Sequence, residues 1–160
     1  MDKIVKHGVV IADPVENMGS LIAAMMRGIG HRMVTEVTTA RDLRQVLATR
    51  SYSLIVLDDQ LGPPDAVEMV GQLRKDFDNP NRTTAVIMMS SAPDITRIAE
   101  ARDAGVSEFL KKPFSAADLQ KCIAGLDLNP REFIEAPAYA GPDRRRRKLA
   151  GITDQRGADE

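Results

Sequence analysis

Apolar runs and helical periods alternate along this chain. Residues 8–13 (Gly-Val-Val-Ile-Ala-Asp) form an apolar run without polar alternation, which predicts a short strand covered on both faces. Val15, Met18, Leu21, Ile22, Met25, Met26 and Ile29 then recur at helical spacing, and Gly30 ends that helix. Residues 33–37 interleave apolar side chains with Thr and Glu, as a strand nearer the sheet edge does. Leu43, Val46 and Leu47 mark a second helix, and residues 53–58 a third strand. Val67, Val70, Leu73 and Phe77 mark a third helix, closed by Asn79-Pro80-Asn81. Residues 84–89 predict a fourth strand, and Ile95, Ile98 and Ala101 a fourth helix ended by Gly105. Residues 107–110 are a brief fifth strand, and Leu119, Ile123 and Leu126 mark a fifth helix.

Alternating units with short links imply right-handed crossovers and an α/β fold. The expectation is a five-stranded parallel sheet, doubly wound and flavodoxin-like. Such sheets bind ligands beyond the C-terminal ends of their strands. Three runs end there on reactive groups: Asp58 after Leu57, Ser90 after Met89, and Lys112 before Pro113. An acid, a hydroxyl and an ammonium on one edge can accept a phosphoryl group and register its arrival.

Past Leu128 the pattern lapses. Asn129-Pro130, Pro137, Gly141 and Pro142 break regular structure, leaving room for a short helical stub at 131–135 and a flexible C-terminal tail from about Pro137. The division expected is a body over 5–128 and an extension over 129–160, with an arginine-rich segment at 139–148.

Composition narrows the classes. At 160 residues and 43% hydrophobic content, the chain can build one ordinary core. Its net charge of −1 argues against nucleic acid as a main partner. The single cysteine, Cys122, excludes a disulfide framework and a Cys-rich zinc site; His7 and His31 have no ligand-spaced neighbours. No stretch approaches the ~18 apolar residues that span a bilayer, and the first residues do not resemble a secretory signal, so a cytoplasmic protein without membrane insertion is expected.

Taken together and in this order, the Leu57-Asp58, Met89-Ser90 and Lys112-Pro113-Phe114 positions resemble the receiver domain of bacterial response regulators, the CheY-like family, over residues 5–128. The resemblance implies a single-domain response regulator, not an enzyme, in a two-component phosphorelay. Asp58 would take phosphoryl groups from a sensor histidine kinase or phosphotransfer protein. Lys112 would pair with the phosphoryl oxygens, Ser90 would hydrogen-bond one of them, and the Phe109 ring would follow that movement. Also implied are a cis Lys112–Pro113 bond and Mg²⁺ held by Asp13, Asp58 and the main-chain carbonyl of Gln60. Output would run through a protein target on the face of helix four, strand five and helix five.

The sequence departs from the family in two places. Receivers carry two adjacent acids at the end of strand one, whereas this chain has Ala12-Asp13-Pro14. If Ala12-Asp13 aligns with the pair, the direct metal ligand is kept; if Asp13-Pro14 aligns, proline replaces it. Either way Mg²⁺ binding is weakened, and a pseudo-receiver adaptor that works without phosphorylation is the alternative. Asp59 points away from Asp58 by strand alternation. Ala66 stands where the family often has glycine, which predicts altered loop geometry. A haloacid-dehalogenase-like phosphohydrolase wants an acid two residues after its nucleophile, and Gln60 stands there instead.

The extension resembles that of CheY-like cyclic di-GMP effectors, whose arginine-rich C-termini act on flagellar motors. That likeness implies a nucleotide grip. Tyr139 would offer a stacking face and Asp143 would accept from guanine. Arg144, Arg145, Arg146 and Arg147 would fork onto phosphates or the O6/N7 edge. The plainer reading of the same block is a solvated charge run.

Overall fold

All four residues of β1 (Val9–Ala12) and all five of β3 (Leu54–Asp58) are buried, as an apolar run without alternation requires of a central strand. In the computed structural model, which describes residues 8–128, 133–136 and 139–143, these strands lie side by side. They are joined by β2 (Val34–Val37), β4 (Ala85–Ser90) and β5 (Glu108–Lys111) in a parallel sheet of order β2-β1-β3-β4-β5. The helices α1 (Glu16–Gly28), α2 (Ala40–Thr49), α3 (Ala66–Lys75), α4 (Ile95–Ala104) and α5 (Ala116–Leu128) fill the crossovers. The strand period of two divides each run between two cores. Val10, Ile55, Leu57 and Met88 meet Leu43 and Met69 of α2 and α3 on one face. Val9, Ile11, Val56 and Ile87 meet Ile22, Met26 and Leu119 of α1 and α5 on the other. This is the flavodoxin-like arrangement that the sequence predicts.

The connections are pinned by side chains. Thr39 Oγ1 accepts the Asp42 amide at 3.1 Å, Asp65 Oδ2 the Val67 amide at 3.1 Å and Asp94 Oδ1 the Arg97 amide at 2.6 Å, capping α2, α3 and α4. Gly105 closes α4 in the left-handed region at φ 111, where a side chain would be strained. Fully buried Asn81 donates to the Leu47 and Arg50 carbonyls and accepts the Tyr52 amide, sewing the α3–β4 loop to the end of α2. Ala66 is the first residue of α3 and is buried, and no residue other than glycine has positive φ among the described residues.

Three features differ from the sequence reading. Phe77 lies beyond α3, which ends at Lys75; its ring is 74% exposed and carries the Arg82 guanidinium 4.1 Å from its centroid. Ile95 and Ile98 have helical spacing but face outward, at 88% and 40% exposure, because α4 turns only Ala101 into the core. The described part of the extension holds an antiparallel hairpin, β6 (Phe133–Ala136) with β7 (Tyr139–Pro142), where the pattern suggested a helical stub and then no regular element. Residues 144–160 lie outside the described residues. Among the described residues, no helix is long and apolar enough to cross a membrane.

Candidate functional site

Ala12 pairs in register with Leu57, so Asp13 stands level with Asp58 at the C-terminal edge of the sheet. Ala12 belongs to the core, and Pro14, which carries no carboxylate, follows Asp13. Both carboxylates are buried. Lys112, one residue past β5, reaches between them: its Nζ donates to Asp13 Oδ2 at 2.7 Å and to Asp58 Oδ2. Burial works against the ammonium, but hydrogen bonds and charge from Asp13 and Asp58 outweigh it and hold the Lys112 pKa above its ordinary value. The remaining carboxylate oxygens are held by main-chain amides: Asp13 Oδ1 by Val15 and Asp58 Oδ1 by Gln60, each at 2.8 Å.

Ser90 ends β4 on the same edge. Its carbonyl accepts the Lys112 amide at 2.8 Å, and its buried hydroxyl accepts the Ala92 amide at 3.3 Å. The Lys112–Pro113 bond is cis, as the resemblance implies. Phe109 sits in β5 opposite Met88, half-buried against the α2–α3 core. The structure thus brings Asp13, Asp58 and Lys112 into direct contact, with Gln60 hydrogen-bonded to Asp58 and Ser90 at the neighbouring strand end.

Arg97 is a participant that the sequence does not single out. Asp59 turns away from Asp58, as strand alternation requires, and is buried; Arg97 Nε donates to its Oδ1 at 2.6 Å. Arg97 Nη2 also reaches Asp65 Oδ1 at 2.8 Å. The Arg97 hydrogen bond is the main reason that the Asp65 carboxyl lies below its ordinary range.

Tyr139 is not where the nucleotide reading needs it. Its ring is buried and its hydroxyl donates to the Pro142 carbonyl, so it presents no stacking face. β7 packs beside Gly105, at the N-terminal end of the strands, whereas Asp58 and Ser90 lie at the C-terminal ends. Asp143 is half-buried at that distal rim, and Arg144, Arg145, Arg146 and Arg147 lie outside the described residues.

Two carboxylates against one ammonium leave the Asp13–Asp58–Lys112 cluster short of positive charge. Carboxylate and carbonyl oxygens are the donors that Mg²⁺ takes, with waters completing its octahedron. The donor chemistry at Asp13, Asp58 and Gln60 therefore suits Mg²⁺. The set is one acid short, because neither Ala12 nor Pro14 brings a carboxylate beside Asp13, and no group of three acidic, histidine or cysteine side chains among the described residues could hold a metal.

Known proteins resemble this chain in sequence and in fold. The transcriptional regulatory protein PdtaR of Mycobacterium tuberculosis is 24% identical over 140 residues, covering 88% of this chain and 64% of PdtaR. The chain therefore spans less than two thirds of that relative's length. Among solved structures, the chemotaxis protein CheY4 of Vibrio cholerae superposes with a TM-score of 0.65 at 18% identity, over 75% of this chain and 98% of CheY4. The receiver domain of the sensor histidine kinase PA1611 from Pseudomonas aeruginosa, with a magnesium ion coordinated in its active site cleft, gives 0.65 at 22% identity, over 74% of this chain and 95% of that domain. Residues 9–124, which run from β1 into α5 and include each member of the cluster, match the response regulator receiver domain. The chain belongs to that family, whose business is signalling rather than catalysis.

Proposed function

We propose that Asp58 is the phosphoacceptor of a two-component phosphorelay and that the body over 5–128 passes the signal on by protein contact. The observation that carries this reading is the Lys112 ammonium joining the two buried carboxylates of Asp13 and Asp58 at the C-terminal sheet edge. In the transfer, an Asp58 oxygen attacks the phosphorus of a phosphohistidine donor. The new O–P bond forms as the donor's N–P bond breaks, and the electron pair returns to the donor imidazole. Lys112 donates to the incoming phosphoryl oxygens, and its raised pKa keeps it charged for that task. Asp13, Asp58 and the Gln60 carbonyl would hold Mg²⁺, which when bound supplies further positive charge to those oxygens.

A phosphoryl group adds roughly −1.5 to −2 charge and three acceptor oxygens. The Ser90 hydroxyl, which accepts the Ala92 amide, then donates to a phosphoryl oxygen, and Phe109 follows the movement. The equilibrium moves because the phosphoryl group binds that arrangement better than the resting one. Beryllofluoride with Mg²⁺ tests this switch by NMR: resonances of Ser90 and Phe109 shift on addition, and their constancy rejects the switch.

The extension over 129–160 is proposed as an anion-binding arm. With Tyr139 buried, its grip rests on Asp143 and on Arg144, Arg145, Arg146 and Arg147, with cyclic di-GMP as the ligand that the resemblance implies. Calorimetry compares the full chain with one in which the four arginines are alanine. Binding lost in the variant supports the grip; equal binding by both chains, or none by either, removes it.

A further inference from the structure

α4 is weakly held by its core face. Of its ten residues only Ala101 is buried. Its two ends are held by specific contacts instead. Near the N-terminal end, the Arg97 guanidinium ties α4 to Asp59, the residue after Asp58, and to Asp65, the cap of α3. At the C-terminal end, Gly105 meets the extension. A Cβ on Gly105 would stand 2.7 Å from Arg74 Cγ and 3.0 Å from the Ala140 carbonyl oxygen; one on Gly141 would stand 2.7 Å from Gly105 Cα. Two glycines facing each other are what allow β7 this close. Fully buried Arg74 underlies the contact, donating through Nε and Nη2 to the Gly105 carbonyl at 3.0 and 2.9 Å. Tyr139 seals it, with its hydroxyl turned back to Pro142.

We propose that β7 docked on Gly105 and Arg97 clasped to Asp59 and Asp65 jointly set the position of α4, so that the C-terminal extension and the Asp58 loop are coupled through this helix. Ten helical residues span about 15 Å, a distance that a single rigid element bridges. A helix with so little core contact moves as a unit when either end is released. Coupling of this kind is reciprocal: a partner that draws β7 off the rim changes the Asp58 loop by the factor through which a change at that loop alters β7. The helix coupling stands on the contacts alone; its link to signalling rests on the Asp58 reading.

Hydrogen exchange on the full chain tests it. In Gly141→Val, whose new side chain meets Gly105, amides 139–141 exchange faster, and amides 101–105 and 59–62 follow by about fivefold or more. In Arg97→Gln, amides 59–62 loosen and 139–141 follow. Wild-type protection at 139–141 in Gly141→Val overturns the docking. Loosening confined to the mutated end in both variants overturns the coupling. Because Gly141 lies outside the matched receiver segment, the variant keeps a folded body on which to read these effects. Labelling of the wild-type chain by acetyl phosphate is scored separately: no label with coupled exchange removes the Asp58 reading alone, and label with uncoupled exchange removes this inference alone.

Discussion

Lys112 serves two buried acids with one cation, and its removal isolates that role. Lys112→Met leaves Asp13 and Asp58 facing each other without an ammonium, and breaking this partly buried ionic contact costs on the order of 1–3 kcal/mol. The sign with pH follows from the raised folded pKa. The contribution of Lys112 is fully present below its ordinary value of 10.5 and is lost as pH rises through the higher folded value. Urea titrations of wild type and variant should therefore converge as the solution passes pH 10.5. Burial works against the Arg74 charge, but Arg74 is common to both chains and cancels in the difference. Cys122 offers a second check. Burial, with Glu108 adding to it, pushes its thiol up to about 11 from 9.0. Iodoacetamide at neutral pH should alkylate Cys122 on the order of 100-fold more slowly in the folded chain than in urea; equal rates would contradict this.

At the scale of elements, a short pattern cannot separate a core face from an exposed one. The central strands were legible because unbroken apolar runs have nowhere else to go. Ile95 and Ile98 had the spacing of a buried stripe, yet the tether that holds α4 near its N-terminus is Arg97, and no local signal marks an arginine whose partners lie 38 and 32 residues away. The orientation of Asp59 followed from strand alternation; its partner did not. Arg97→Ala should cost about 1–3 kcal/mol by stranding buried Asp59, whereas Ile95→Ser, at 88% exposure, should stay within about 0.5 kcal/mol. Denaturant midpoints of the two variants decide which residue anchors the helix.

At the scale of the whole molecule, parallel topology sends every strand's C-terminal end to one edge, and this makes Asp58, Ser90 and Lys112 legible in the sequence as neighbours on that edge. The same topology places Gly105 and the hairpin at the other edge. The extension escaped prediction because its contact with the body depends on the absence of side chains at Gly105 and Gly141, and to a pattern a glycine reads as a break. Pro142 and Asp143 thus sit on the rim away from Asp58. A ligand held at Asp143 on that rim is expected to change the phosphorylation rate without competing with the phosphodonor, which initial rates over a range of acetyl phosphate concentrations would measure.

The most direct measurement is the mass of the intact chain after incubation with acetyl phosphate and Mg²⁺, followed by peptide mapping, on wild type and Asp58→Asn. A single phosphoryl adduct that maps to Asp58 and is absent from the variant is the predicted result. An unmodified wild-type chain, or an adduct that survives in Asp58→Asn, would contradict the phosphoacceptor role and leave a receiver fold that signals without phosphorus on Asp58.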